Sequence, residues 1–402
     1  MKFIFLTSDK FPPFRVDLKI LFGKEMVQRG HTIHWLLQSE KACSTSFNTI
    51  WCGSQAWVGA TDLGSSVLNK IRKHVLDILN DLKMFQLVRK NRYDFIQVKD
   101  KFISALLGII ISRLYKCEFV YWLSYPFAEA SIYKANTGKT RYPFYYKIRG
   151  YILKHLLYRV IMPLADKIFV QSNQMKKDVM AMGIPEQKLT PVPMGVSLNM
   201  VPYNSKATSF EKRKDEKVVL YLGTMIRLRR IDFLIRVFDY VLKYESKARL
   251  YMIGGSHDQA DLAFLKKEVE KLGIERSVVF TDFVPMDKAW EYVKKADVCV
   301  SPFYPTPILN STSPTKLGEY MAMGKPVVAN DHPEQKLVIS ESGGGICVPY
   351  QEKEFANAII YLLQNPTLAK TMGEKGRTYV EKKREYSKIC DLVENQYDKL
   401  IG

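Results

Sequence analysis

Cysteine is scarce in this 402-residue sequence, and the six residues present, Cys43, Cys52, Cys117, Cys299, Cys347 and Cys390, are scattered without a single CxxC pair. Such spacing offers neither a zinc ligand set nor a disulfide framework, and it suits a reducing cytoplasm. Long apolar runs are missing as well. The longest candidate, Phe102 to Tyr115, is broken by Arg113 and falls short of the roughly 18–20 residues that cross a bilayer. The opening Phe3-Ile4-Phe5-Leu6 is shorter than a signal-peptide core of about 7–15 residues and is followed by Asp9. A cytoplasmic location is therefore expected. Histidines number six and show no metal or triad spacing: His31 stands at a helix-to-strand turn, and His34, His74, His155, His257 and His332 have no partner pattern. Acidic residues are in short supply, leaving a net charge of +19, of which +15 falls within residues 1–200. The first half is the one expected to meet an anionic partner.

What is present is a 47% apolar chain long enough for two or three domains. Short β-rich runs alternate with stretches of helical period, which predicts an α/β protein with parallel sheets and crossover helices. In the first half, strands are expected near Lys2–Thr7, Thr32–Leu37, Phe95–Val98, Glu118–Leu123, Lys167–Gln171 and Leu189–Val192. The apolar pattern lapses after Gly195, and Glu211 to Lys217 is wholly charged. The pattern then restarts, with strands expected at Val218–Leu222, Ala248–Ile253, Val278–Phe280, Val298–Val300, Pro326–Ala329 and Ile346–Val348. Two Rossmann-like doubly wound domains follow, 1–200 and 218–380, joined by a linker over 201–217. Helix dominates beyond Gln351, with Ala356, Ile359, Ile360 and Leu363 on one stripe. Residues 381–402 form a C-terminal helix expected to pack back on the first domain.

Two features of the second half suit a nucleotide diphosphate. The turn Gly223-Thr224-Met225-Ile226-Arg227-Leu228-Arg229-Arg230 brings three arginines to the start of a helix. The macrodipole there is already equivalent to about +0.5 charge, and a bound anion would resolve the conflict. A solvated loop paired with Asp232 would resolve it equally. In Ser313-Pro314-Thr315-Lys316-Leu317-Gly318-Glu319-Tyr320-Met321-Ala322, Ser313 is a good N-cap and Pro314 a good first helical residue. The open amides of that short helix, with Ser313 and Thr315, would face whatever lies in front of it. Lys316 and Glu319 share one face; they either serve a ligand or form a surface ion pair worth about a few tenths of a kcal/mol.

The order in which these pieces occur carries a resemblance. The Gly223–Arg230 turn, Met252-Ile253-Gly254-Gly255, Thr281-Asp282-Phe283-Val284-Pro285, Ala296-Asp297-Val298 and Glu319-Tyr320-Met321-Ala322-x-Gly-x-Pro-Val-Val succeed one another as in the C-terminal domain of family 4 retaining glycosyltransferases. The resemblance implies the GT-B fold, two such domains facing a central cleft. It implies that Arg229 and Arg227 neutralise the donor diphosphate, that Glu319 holds the ribose, and that backbone near Val284 meets the base. Lys316 joins the phosphate contacts in relatives with a Ser-Pro-x-Lys stretch, which build polysaccharides. Where the family often has the first Glu of its Glu-x7-Glu motif, eight residues before Glu319, this chain has Ser311. Asn310 or Thr306 would then orient the transferred sugar, or the donor preference differs. Gly223, Thr224 and Leu317 complete the expected donor set, with Arg229, Lys316 and Glu319 as its catalytic members.

Phe11-Pro12-Pro13, Gln28-Arg29-Gly30-His31, Ala165-Asp166-Lys167-Ile168-Phe169-Val170 and Pro191-Val192-Pro193-Met194-Gly195 are similar to the N-terminal domain of the same family. Acceptor contacts are expected just past strand ends, which singles out Asp17, Lys99, Asp100, Lys101, Ser124 and Tyr125. Asp100 is equally suited to capping the helix at Phe102. No catalytic His can be assigned, since Ser124 stands where many relatives have His or Asp. Between Ser131 and Val160 lie seven basic residues, seven aromatics and no acid. That stretch reads as a surface for an anionic leaflet, each cation contributing about 1 kcal/mol, or as a core helix with a solvated basic face. Nucleic acid is not expected as a partner. The resemblance implies retaining, metal-independent transfer of a sugar from a UDP- or GDP-sugar to a glycan or lipid-linked acceptor, without a cofactor. A sugar-nucleotide epimerase and a catalytically lapsed binding protein are the alternatives.

Overall fold

The computed structural model describes the chain except for residues 62, 63, 65, 139 and 204–214. Most of the expected linker, and Lys139 of the basic stretch, therefore lie outside the described residues. Two units emerge: Met1–Pro193 together with Tyr386–Gly402, and Met194–Glu385. The first division thus falls at Pro193, ahead of the residue 200 expected from the sequence, and residues 381–385 stay with the second unit.

The first unit holds an eight-stranded sheet of β1 (Lys2–Phe11), β2 (Thr32–Ser39), β3 (Phe47–Trp51), β4 (Ser54–Gly59), β5 (Phe95–Lys99), β6 (Glu118–Leu123), β7 (Lys167–Val170) and β8 (Leu189–Pro191), in the order β3-β4-β2-β1-β5-β6-β7-β8. All neighbours pair parallel except β3 and β4. Helices cover both faces, which is why β1 opens with four consecutive apolar residues, Phe3 to Leu6, all inaccessible to solvent. Ile4, Leu6, Ile96, Val98 and Tyr121 fill one core, and Phe3, Phe5, Phe95 and Trp122 fill the other. The helix Tyr386–Ile401 belongs to the second of these: its Tyr397 ring stacks 4.4 Å from Phe95. The β3–β4 hairpin is absent from the sequence reading. Its two-residue turn is Cys52-Gly53, both with positive φ (50° and 74°), a conformation more often signalled by Asn-Gly.

The second unit is a six-stranded parallel sheet: β9 (Lys217–Leu222), β10 (Ala248–Ile253), β11 (Val278–Phe280), β12 (Val298–Ser301), β13 (Val327–Asn330) and β14 (Gly345–Val348), ordered β11-β10-β9-β12-β13-β14. The order reverses between β9 and β12 here, and between β1 and β5 in the first unit. Ligands of doubly wound sheets bind beyond the carboxyl ends of strands at such reversals. Among the described residues no helix is long and apolar enough to cross a membrane.

Candidate functional site

Beyond β9 the chain turns at Gly223, with φ at +151°, and is held against the turn after β10 by Gly223 N–H donating to Ile253 O (2.9 Å) and Met225 N–H to Gly255 O (2.8 Å). Gly254, at φ +113°, is the residue approached: a Cβ there would stand 2.5 Å from the Gly223 carbonyl oxygen. Arg227–Arg229 then form one 3-10 turn and Arg230 adopts a left-handed conformation (φ 51°) before the helix Asp232–Leu242. The arginines thus lie in the turn that leads into the helix. Asp232 takes Arg236 at 2.9 Å and Arg230 at 3.5 Å. Arg227 lies exposed over the Phe264 ring at 4.4 Å, so its guanidinium is turned to an aromatic face. Arg229 turns toward Gly223.

The opposite wall is the chain after β12 and the helix Thr315–Ala322. Asn330 Oδ1 accepts from Phe303 N–H (2.6 Å), and Gln335 Nε2 donates to Ser301 O (3.1 Å), fixing the backbone where the strand ends. Tyr320, fully buried, accepts from Leu222 N–H at 2.7 Å and ties the helix to the end of β9. Ser313 is not the N-cap anticipated from the sequence. The helix begins one residue later, behind Pro314, and Ser313 Oγ accepts from Met194 N–H (3.0 Å). Thr315 is exposed in the first turn, Leu317 is buried in the core, and Glu319 is half-buried. Thr306, a candidate sugar contact, has its hydroxyl engaged as N-cap of Pro307–Asn310, accepting from Leu309 N–H (3.1 Å). Asn310 closes that turn and is half-buried, as is Val284 beyond β11.

Both walls deliver a cation to one place. A Cβ built on Gly223 would lie 3.1 Å from Lys316 Nζ, 3.3 Å from Tyr221 Oη and 3.5 Å from Arg229 Nη1. The Lys316 ammonium sits 4.0 Å from the Tyr221 ring centroid and 5.4 Å from that of Phe303. Burial pulls the Lys316 ammonium below its usual pKa, with nearby Arg229 adding to the effect and Tyr221 opposing it. Burial acts to raise the Tyr221 phenol, but Lys316 and Arg229 outweigh it and hold it below its ordinary value. Burial raises Glu319, against the pull of Lys316. A buried ammonium and a half-buried guanidinium faced by a phenol and aromatic rings are an anion site in their charge balance. No motif marks Tyr221 or Phe303: Tyr221 lies in the apolar run of an expected strand, and Phe303 lies in the loop that follows another.

The reversal in the first unit is charged differently. Lys99, almost fully buried at the end of β5, contacts Asp9 (3.1 Å) and Asp17 (3.3 Å), and Arg15 grips Asp17 through two bonds of 3.0 and 2.8 Å. Burial works against the Asp17 carboxylate, yet Lys99 and Arg15 hold it far below the usual range. Asp100, left-handed at φ 57°, accepts from Ser124 N–H (2.9 Å) and from the Ser124 hydroxyl, while burial raises its carboxyl. Lys101 turns away to Asp77 (3.0 Å) and Asp81. Tyr125 packs edge-on to Phe127 at 5.0 Å. The structure therefore gathers Asp17, Lys99, Asp100 and Ser124 and sets Lys101 apart. Arg15 and Asp9 complete the network, and no spacing in the sequence announced them.

Two doubly wound sheets, one with a cationic cluster at its strand-order reversal, define an α/β protein of the nucleotide-binding type. Comparison with known proteins carries this further. Residues 21–199 match the family model described as Glycosyltransferase Family 4, and residues 204–379 match that described as Glycosyl transferases group 1. The chain belongs to the family 4 glycosyltransferases and has their GT-B fold. An alpha-monoglucosyldiacylglycerol synthase of Streptococcus pneumoniae is 28% identical over 302 residues, spanning 73% of this chain and 64% of the relative's own length. Among solved structures, a sucrose-phosphate synthase from Thermosynechococcus elongatus superposes with a TM-score of 0.73 at 17% identity, over 100% of this chain and 99% of that one. HepE of Anabaena in complex with UDP superposes with a TM-score of 0.71 at 13% identity, over 99% and 100%.

Proposed function

We propose that this chain is a retaining, metal-independent glycosyltransferase that moves a sugar from a nucleoside-diphosphate sugar to a hydroxyl of a glycan or lipid-linked acceptor. The observation that carries the reading is the meeting of Lys316 and Arg229 beside Gly223, at the strand reversal of the second unit. As the glycosidic bond breaks, the leaving diphosphate gains charge, and two positioned cations, one of them buried, stabilise that charge without a metal. Glu319, Asn310, Thr224 and the backbone near Val284 are the proposed contacts to ribose, sugar and base, and Asp100, Ser124 and Tyr125 the proposed contacts to the acceptor. UDP is the favoured nucleotide, supported by the UDP complex of HepE. A lipid acceptor is supported by the name of the Streptococcus pneumoniae relative.

A lipid-linked acceptor calls for a membrane surface, and the first unit supplies one of suitable chemistry. The helix Pro143–Leu156 exposes Phe144, Tyr145, Ile148, Tyr151 and Ile152 beside Arg141, Lys147 and Arg149. A core helix with only a basic outer face would not carry that apolar stripe. The helix Val67–Asp81 adds Leu68, Ile71, Val75 and Leu79, also exposed at helical spacing, while its acids Asp77 and Asp81 turn in to Lys101. Apolar stripes flanked by cations suit an anionic leaflet.

A thermal-shift panel of UDP-, GDP- and ADP-sugars tests the donor assignment, since a ligand at 100 times its dissociation constant adds about 2.7 kcal/mol. The expected outcome is stabilisation by one family of nucleotide sugars; indifference to all three refutes the reading. Donor consumption that needs no acceptor would point instead to an epimerase.

A further inference from the structure

The Tyr221 phenol touches both cations, and the transfer reaction itself gives it no task. We propose that Tyr221 is a positioning residue: its oxygen, placed between Lys316 and Arg229, keeps the two cations together and aimed before a diphosphate arrives. The inference rests on the diphosphate reading above and names the device that makes the site competent.

Two cations this close repel each other, and burial adds a desolvation cost to Lys316, while Arg229 is half-buried. Something must hold them while the site is empty. A carboxylate would do so, but it would also neutralise them and compete with the incoming anion. That is the state of Lys99 in the first unit, bound by Asp9 and Asp17. A phenol is the milder solution. Its oxygen accepts hydrogen bonds without carrying a full charge, and its ring face attracts an ammonium. The geometry has both parts: Lys316 Nζ lies 4.0 Å from the ring centroid, and Tyr221 Oη donates to Thr224 O at 3.1 Å, which leaves its lone pairs for the cations. Tyr221 is fully buried in β9, so its oxygen has one place to be. The net lowering of the phenol by Lys316 and Arg229 is what such a placement produces.

Tyr221→Phe keeps the ring and removes the oxygen. UDP binding, read by calorimetry across pH, is expected to weaken about tenfold or more in this variant, the usual effect of losing a hydrogen bond to a charged group. Its alkaline limit should also move to lower pH. Lys316 must be charged to hold a diphosphate, binding is lost as pH rises through its pKa, and the phenol oxygen is a group that raises that pKa. A merely structural role would lower the melting temperature and leave the alkaline midpoint where it was. A second arm leaves the fold unperturbed: 3-fluorotyrosine placed at 221 should show a fluorine resonance that shifts on adding UDP and titrates at higher pH with UDP present. Tyr221→Phe with wild-type UDP affinity and midpoint, or a fluorine signal indifferent to UDP, overturns the proposal. Arg229→Ala and Lys316→Ala separate the two readings: if both bind UDP normally, the diphosphate assignment is what has failed.

Discussion

Lys316 and Lys99 are both buried ammonium groups at a strand-order reversal, and their neighbours decide what each can do. Lys99 meets two carboxylates and is locked in place. Lys316 meets a phenol and an aromatic ring and keeps its charge available. Arg229→Ala should therefore cut turnover by about a hundredfold or more, the usual cost of one preorganised contact to a leaving group, with a smaller change in KM, as steady-state kinetics would reveal. Asp17→Asn should instead act on stability. It leaves Lys99 with Asp9 alone and the half-buried Arg15 without its carboxylate, a change that costs about 1–3 kcal/mol, readable as a lower urea midpoint. The sign with pH follows from Asp17 being held low in the fold. Its contribution is present above the unfolded carboxyl value of about 4 and disappears as pH falls toward the folded one, so the Asn variant and the wild type should converge in stability in strong acid. At this scale the sequence was readable where a residue broke a pattern. Arg229 and Lys316 stand out as cations where a helix start resists them. Tyr221, Arg15 and Asp9 break no pattern, and only side-chain packing brings them to the sites.

At the scale of elements, the strands with both faces covered were legible because burial on two sides writes a continuous apolar run. Every strand of the second unit falls where such a run predicts it. The β3–β4 hairpin was not, since β3 lies at the sheet edge with several exposed residues and turns at Cys52-Gly53. The helix Thr315–Ala322 was legible in place but not in its cap, because Ser313 is drawn off by the amide of Met194. Between elements, the contact of the Gly223 and Gly254 turns admits no side chain. Gly254→Ala combines a left-handed φ with a Cβ 2.5 Å from Gly223 O, and should lower stability by about 1–3 kcal/mol while displacing the turn that carries Arg229. Thermal unfolding and UDP titration of that variant should fall together.

For the molecule as a whole, the proposed membrane surface of the helices Val67–Asp81 and Pro143–Leu156 would draw on part of the surplus charge of the first 200 residues. Sedimentation with vesicles containing phosphatidylglycerol should carry the protein down at low salt and release it as salt rises, while neutral phosphatidylcholine vesicles hold much less. The double change Ile148→Glu and Tyr151→Glu should abolish most of that binding without altering activity on a soluble acceptor. Division into two α/β units was legible from the lapse and restart of the apolar pattern. Where the chain passes from one to the other was not, because Pro193 to Tyr203 has too little periodicity to mark an edge.

The helix Tyr386–Ile401 completes the core of a unit whose other residues come almost two hundred positions earlier. Tyr397 stacks on Phe95, its hydroxyl meets Gln97, and Glu394 clasps Arg29 at 2.6 Å. On the ribosome, then, the segment made first must wait with Phe3 and Phe95 uncovered while the whole second unit is synthesised, an interval of roughly ten to forty seconds at about 5–20 residues per second. The unit begun earliest is the last to close, and chaperones have that interval in which to hold it.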